Sequence, residues 1–361
     1  MTTPLAAEIR NRIALNGPLR LDRYMSICLG HAEHGYYMQR DPLGADGDFT
    51  TAPEVSQMFG EIIGLWCAVM WQAMGAPARL HLVELGPGRG TLMRDALRAI
   101  KRAAPACMAA LDVHLVETSP VLRQKQAEAL KGSGLAPAWH DNLESLPSGP
   151  ALFLANEFFD ALPIRQFVRT ESGWKERLVG TGENGRFSYG LTPLNVDERF
   201  IPPAMANAEI GAVAEVSPAR RQVMARIAAR LARGAGAALI IDYGHVASGP
   251  GDTFQAMRGH AYTDPLAEPG LADLTAHVDF ADLAATAMDK GAQCHGPVTQ
   301  AQFLTRLGIR ERADLLCRKA DRARRDEIEL ALERLTGPGQ MGDLFKVLCV
   351  TSVTNAPPPP F

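Results

Sequence analysis

The chain has 361 residues, with 37 basic and 40 acidic side chains and a formal net charge of −3. A balance this close to neutral argues against a generalised nucleic-acid binder, and a chain of this length buries enough core to need no disulfide or metal staple. The six cysteines contain no C-x-x-C pair, so no metal centre is expected and reduced thiols fit a soluble, cytoplasmic enzyme.

Taken in chain order, residues 1–78 predict a helical N-terminal extension. The opening MTTPLAAEIRNRI lacks the apolar core of a signal peptide. Residues 18–50 are rich in Gly, His, Tyr and Asp with weak periodicity. Among them His31, His34, Tyr36 and Tyr37 lack the spacing of a metal-binding helix and read as loop packing. Thr51-Ala52-Pro53-Glu54 reads as a capping box, opening a helix whose Val55, Met58, Phe59, Ile62, Trp66, Val69 and Met70 form one buried face. The longest apolar run, Ile62 to Trp71, has ten residues, where a membrane span needs about 20.

From residue 80 the texture changes. Strands at Leu80–Leu85, Leu111–Glu117, Ala136–His140 and Ala151–Ala155 alternate with helices over Thr91–Arg102 and from Ser119-Pro120 to Leu130. That order predicts a mainly parallel α/β sheet covered on both faces, its first half occupying 79–163. The segments RQFVRT, WKERLVG and RFSYGL, separated by SG and ENG turns, predict an antiparallel insertion over 164–219. The second half of the core, 220–354, holds a helix at Arg220–Arg233 and a strand at Ala237–Asp242. A Gly/Pro-rich stretch follows and reads as a lid or substrate loop within 245–278. A helix near 279–290, a strand near 292–298, a salt-bridged helical stretch over 300–336 and a last strand at Phe345–Thr351 complete it. Residues 355–361, NAPPPPF, read as a disordered tail.

The most informative segment is Val83-Glu84-Leu85-Gly86-Pro87-Gly88-Arg89-Gly90-Thr91, between the first core strand and its helix. A doubly wound sheet binds nucleotides at such a turn, where residues without Cβ let the backbone approach the ligand. A dinucleotide fingerprint would place its third glycine at Thr91. Glycines at 86, 88 and 90 after Glu84 instead form the Glu-x-Gly-x-Gly-x-Gly pattern of class I S-adenosylmethionine (SAM) methyltransferases, making Glu84, Gly86, Pro87, Gly88 and Gly90 candidate cofactor residues. Glu117 ends the second strand, where a carboxylate can accept both ribose hydroxyls. Asp141 and Asn142 follow the third strand, where an acid or amide meets the adenine amino group. Helix capping competes for each of these positions. After the fourth strand, Asn156-Glu157-Phe158-Phe159-Asp160 loosely echoes the Asn-Pro-Pro-aromatic loop of amino-group methyltransferases. Glu157 and Asp160 are placed to hold a cationic substrate nitrogen; the competing reading is a capped turn with two core phenylalanines. Asp242-Tyr243-Gly244 ends another core strand at the same sheet edge, with substrate-facing and structural roles both open.

The blocks GPLRLDRYM, HGYYMQRDPLGADGDFTTAPEVSQMFGEIIG, VELGPGRGTLMRD, NEFFDALPIRQF, IDYGH and TAHVDF resemble the MidA-type SAM-dependent methyltransferases, from about residue 15 to residue 350. The resemblance implies a class I, Rossmann-like methyltransferase core with a mixed, mainly parallel sheet, an N-terminal helical extension and an inserted cap. By it, Gly86, Gly88 and Gly90 contact SAM, Glu117 the ribose and Asp141-Asn142 the adenine edge. It also places Asn156, Glu157 and Asp160 at the methyl-transfer site, and Asp48, Thr50 and Thr51 over the cofactor pocket. Eukaryotic members of the family are mitochondrial and methylate an arginine of a respiratory complex I subunit, which implies a protein substrate. Two rivals stay open: a SAM-binding assembly chaperone that holds a client subunit, and a small-molecule methyltransferase.

Overall fold

The computed structural model describes residues 3–39, 50–352 and 358–361. Contacts divide the chain into two compact units. One unites the described part of Met1–Phe49 with Asp160–Gln222 and Ala247–Asp279; the other comprises Thr50–Phe159, Val223–Val246 and Phe280–Phe361. Residues 50–78, expected to belong with the N-terminal extension, thus pack with the core.

The second unit is built on a sheet whose strands are β1 (Leu80–Leu85), β2 (Leu111–Val116), β3 (Ala138–His140), β4 (Ala151–Asn156), β5 (Gly236–His245), β6 (Gln293–Thr299) and β7 (Phe345–Thr351). Their order across the sheet is β6-β7-β5-β4-β1-β2-β3. Every pair from β5 to β3 is parallel, and β7 runs antiparallel to both neighbours. The parallel strands are those expected from the alternation, and the sheet is the Rossmann-like one implied by the resemblance. β1 and β4 are buried throughout, as strands covered on both faces must be.

Helix α1 (Gln57–Ala73) packs against α2 (Thr91–Ala103) so closely that a Cβ at Gly64 would meet the Ala96 carbonyl. The expected capping box does not form. Ser56, not Thr51, caps α1 by accepting from the Met58 amide at 3.2 Å. Within the expected buried face, Met58, Phe59, Ile62, Trp66 and Met70 are buried, but Val69 is 44% exposed. A chain of imidazoles crosses the β1–β3 edge. His81 Nδ1 lies 3.0 Å from His114 Nε2, and His114 Nδ1 lies 3.0 Å from His140 Nε2. The chain ends at the Ser148 carbonyl on one side and the Ser145 hydroxyl on the other.

The expectation of a disordered tail fails for residues 358–361. Phe361 packs its ring 5.6 Å from that of Phe303, and the Trp66 indole donates to the Pro359 carbonyl at 2.8 Å. An aromatic terminus with an apolar seat outweighs the proline-rich composition that suggested disorder.

The other unit contains helices Pro4–Asn16 and Leu21–Gly30 and an antiparallel sheet ordered Leu19–Arg20, Gly173–Thr181, Arg165–Thr170, Val213–Val216. Phe187–Leu191 also pairs with Gly173–Thr181, matching the expected antiparallel insertion. The expected loop within 245–278 is instead a second small sheet, in which Gln255–Arg258 pairs with Ala261–Thr263 and with Asp273–Thr275. The hairpin closes through Gly259 and His260, with φ of +56° and +60°. Two left-handed residues match the twist of the flanking strands; the histidine concealed that signal in the sequence. No helix among the described residues is long and apolar enough to cross a membrane.

Candidate active site at the carboxyl ends of the core strands

β1 ends at Leu85, and the chain turns back into α2 through Gly86, Gly88 and Gly90, with φ of +58°, +54° and +81°. The Gly90 amide closes the turn on the Pro87 carbonyl at 2.8 Å, while the Gly86 amide donates to the Val116 carbonyl of β2 at 3.0 Å. A Cβ on Gly86 would stand 2.8 Å from the Phe158 ring, and one on Gly90 3.2 Å from the Gln126 backbone. Only glycine therefore meets both the dihedral and the space.

Glu84 lies beneath this loop. Its carboxyl is buried and meets the Met93 amide in the first turn of α2. Burial pushes its pKa up to about 8, leaving it protonated at neutral pH, and Oε2 has no hydrogen-bond partner. On the other flank Glu54 accepts from the Thr91 hydroxyl and lies 3.7 Å from Arg89. Glu54 thus braces the glycine loop instead of closing its own helix. Thr50 and Thr51 are half-buried, and the Thr51 carbonyl takes the Glu54 amide at 2.9 Å. Asp48 lies outside the described residues.

Glu117 follows β2 and is buried. Its Oε1 accepts from the amides of Thr118 and Ser119, each at 2.7 Å, and its Oε2 from Gln126 Nε2 at 3.1 Å. Burial raises its pKa, against the lowering pull of those donors. Ser119 caps the helix α3 (Pro120–Ala129), so capping and Glu117 divide between two residues. Gln126 has no signature in the sequence. It is fully buried, gives a second bond from Nε2 to the Gly88 carbonyl at 2.8 Å, and accepts from Trp139 Nε1 at 2.8 Å. One side chain thereby ties the glycine loop to the ends of β2 and β3. Asp141 is exposed and pairs with Arg123 at 2.6 Å. Asn142 spends its oxygen capping a short 3₁₀ turn through the Glu144 and Ser145 amides, which is the capping alternative.

At the end of β4, Asn156 is buried. Its Nδ2 donates to Glu157 Oε1 at 3.0 Å, and its Oδ1 has no partner. Glu157 has φ of +50°, a conformation that costs a non-glycine residue about 1–2 kcal/mol. Its Oε1 also takes the Ala52 amide at 2.9 Å. Phe159 is fully buried, and the Phe158 ring stands edge-on to it with centroids 5.4 Å apart. Asp160 opens the next segment of the other unit, where its Oδ1 takes the Ala161 amide at 2.8 Å. In that unit the His31 group is packing, as expected. His31 Nδ1 accepts from the His34 amide at 3.1 Å, and Tyr37 donates to Asp273 Oδ1 at 2.7 Å. Among the described residues, no cluster of three or more His, Cys, Asp or Glu side chains suits a metal ion.

A backbone cradle of left-handed glycines, a buried carboxylate at the next strand end and an unpartnered buried acceptor beside a strained glutamate suit a cationic nucleoside cofactor. On this sheet, that combination defines the class I SAM-dependent methyltransferase. The family model described as "Putative S-adenosyl-L-methionine-dependent methyltransferase" matches residues 62–298, and the chain belongs to this family. The protein arginine methyltransferase NDUFAF7, mitochondrial, of Danio rerio is 38% identical over 96% of this chain and 87% of its own. The human protein of that name is 36% identical over 95% and 82%. A Burkholderia thailandensis structure with S-adenosyl-homocysteine bound superposes with a TM-score of 0.83 at 29% identity, covering 96% of this chain and 91% of that one. The protein is accordingly an enzyme that uses SAM.

Proposed function

We propose that the chain methylates an arginine side chain of a protein, and that this protein is a subunit of respiratory NADH-quinone oxidoreductase. The carrying observation is the Asn156–Glu157 pair, which sets a carboxylate beside a buried carbonyl oxygen with no partner. Two adjacent acceptors suit a planar, cationic guanidinium. The curated relatives named as protein arginine methyltransferases support the same acceptor. The complex I subunit rests on the resemblance of the sequence blocks.

In this reading Gly86, Pro87, Gly88 and Gly90 lie along the cofactor, and Glu117 accepts its ribose hydroxyls. Asp141 and Asn142 border the adenine edge, while Thr50 and Thr51 flank the pocket. SAM supplies a methyl group already activated on a sulfonium. Glu157 orients one guanidinium nitrogen toward it and spreads the acceptor's positive charge, and Asn156 fixes the Glu157 carboxylate. Supplying isotope-labelled SAM to a lysate of cells lacking this protein, followed by mass spectrometry, tests the acceptor. Added enzyme should place label on arginine in a protein band; label on RNA or a metabolite alone would refute the proposal. If Glu157→Gln abolished transfer yet still rescued complex assembly in cells, client holding would be the essential activity.

A further inference from the structure

The turn that presents Glu157 is gripped from the neighbouring strand. Three successive amides, those of Glu157, Phe158 and Phe159, all point to the end of β5. The Glu157 amide donates to the Ile241 carbonyl at 2.9 Å. The amides of Phe158 and Phe159 donate to a single atom, Asp242 Oδ2, at 3.2 and 2.9 Å. Asp242 Oδ1 accepts from the Tyr243 amide at 3.0 Å, and the side chain has no exposed surface. Convergence of successive amides on one anion is the geometry of a backbone nest, which forms when a left-handed residue adjoins the amides. Here that residue is Glu157, at φ +50°.

We infer that Asp242 is a positioning residue for methyl transfer: its carboxylate, seated in the amides of Phe158 and Phe159, holds Glu157 left-handed so that the Glu157 carboxylate faces the transferred methyl. This rests on the proposed role of Glu157 at the transfer site. The chemistry requires a carboxylate at 242. Amide donors approach it from two sides, and an asparagine offers an acceptor on one side only, setting N–H against N–H on the other. Oxygens on both sides are also what keep the costly backbone of Glu157 from relaxing.

The test needs no acceptor protein. Sinefungin carries a primary ammonium where SAM carries its methylsulfonium, so its affinity relative to S-adenosyl-homocysteine reports negative charge facing that point. Calorimetry on the wild-type protein should give at least about a tenfold preference for sinefungin. In Asp242→Asn, S-adenosyl-homocysteine should bind within about threefold of wild type while the preference disappears. Glu157→Gln should lose the same preference, and the double variant should lose no more than either single one. If Asp242→Asn kept the preference that Glu157→Gln lost, the inference would fail while the role of Glu157 stood. An equal loss of both ligands in Asp242→Asn would make Asp242 a support of the whole cofactor site and overturn the inference too. A wild-type or Glu157→Gln result without the expected change would remove Glu157 from the transfer site, and the inference with it. Asp242→Ser, which keeps one acceptor oxygen, replaces Asp242→Asn should that variant not fold. If neither folds, Asp242 is structural and the inference is refuted.

Discussion

Two turns at adjacent strand ends solve the same backbone problem differently. After β1, the left-handed region is occupied by Gly86, Gly88 and Gly90; after β4, one strand over in register, it is occupied by Glu157. The first turn has no side chain to deliver, and glycine enters that region without a Cβ penalty. The second presents a carboxylate, so the chain accepts local strain and offsets it with amides captured by β5. Glycine takes the left-handed positions of the first turn, where no side chain is presented, and Glu157 takes that of the second, where a carboxylate is.

The comparison breaks most readily at the first turn. Gly86→Val adds a branched Cβ into the Phe158 ring at a forbidding φ, and SAM affinity measured by calorimetry should fall at least about a hundredfold. Acid should also distinguish the two turns. Burial, with His81 and His140 beside it, lowers the His114 pKa to about 4, below the value of about 6.5 in an unfolded chain. Between those values the unfolded chain binds the proton and the folded one does not. The stabilisation is therefore complete above pH 6.5 and is lost as the pH falls toward 4. By pH 5 a loss of about 1–2 kcal/mol is expected in urea unfolding. Hydrogen exchange should show β2 and β3 loosening before β4 and β5; uniform loosening would break the expectation. If Glu117 accepts the ribose hydroxyls as proposed, Glu117→Gln should weaken SAM binding about tenfold, because an amide would replace one of two acceptors. The smallest effect bears on the second turn. Glu157→Gly and Glu157→Ala both remove the carboxylate, but only alanine keeps the strained Cβ, so the glycine variant should be more stable by about 1 kcal/mol. That is the reverse of the order found inside helices, and equal stabilities would show that the turn carries no strain.

Much of this site is legible without coordinates because its signals are local. Alternating apolar runs, the Ser119-Pro120 cap and glycines where a turn forbids Cβ all act within a few residues of where they are read. The missed features are those with competing partners at long range. Glu54 has the spacing to close a capping box, yet it braces Thr91, 37 residues away. Gln126 is an unremarkable letter in a helix, and Asp242 is visible only as a strand-end acid with its role open. They become important because the sheet order brings Gly88 to one and the Phe158–Phe159 amides to the other. The 255–263 hairpin hid behind a histidine in a position that favours glycine or asparagine, and Phe361 found a seat that proline-rich composition could not announce.

By itself the sequence determined the strand–helix alternation, the left-handed glycine turn and the acids that close the strands, because dihedral preference, capping and burial period are properties of short segments. Tertiary structure alone decided that β7 is the antiparallel strand and inserts between β5 and β6, the pairing of Asp242 with the turn after β4, and the strain stored at Glu157. Each depends on which distant strand lies alongside, a choice made by the packing of the whole sheet.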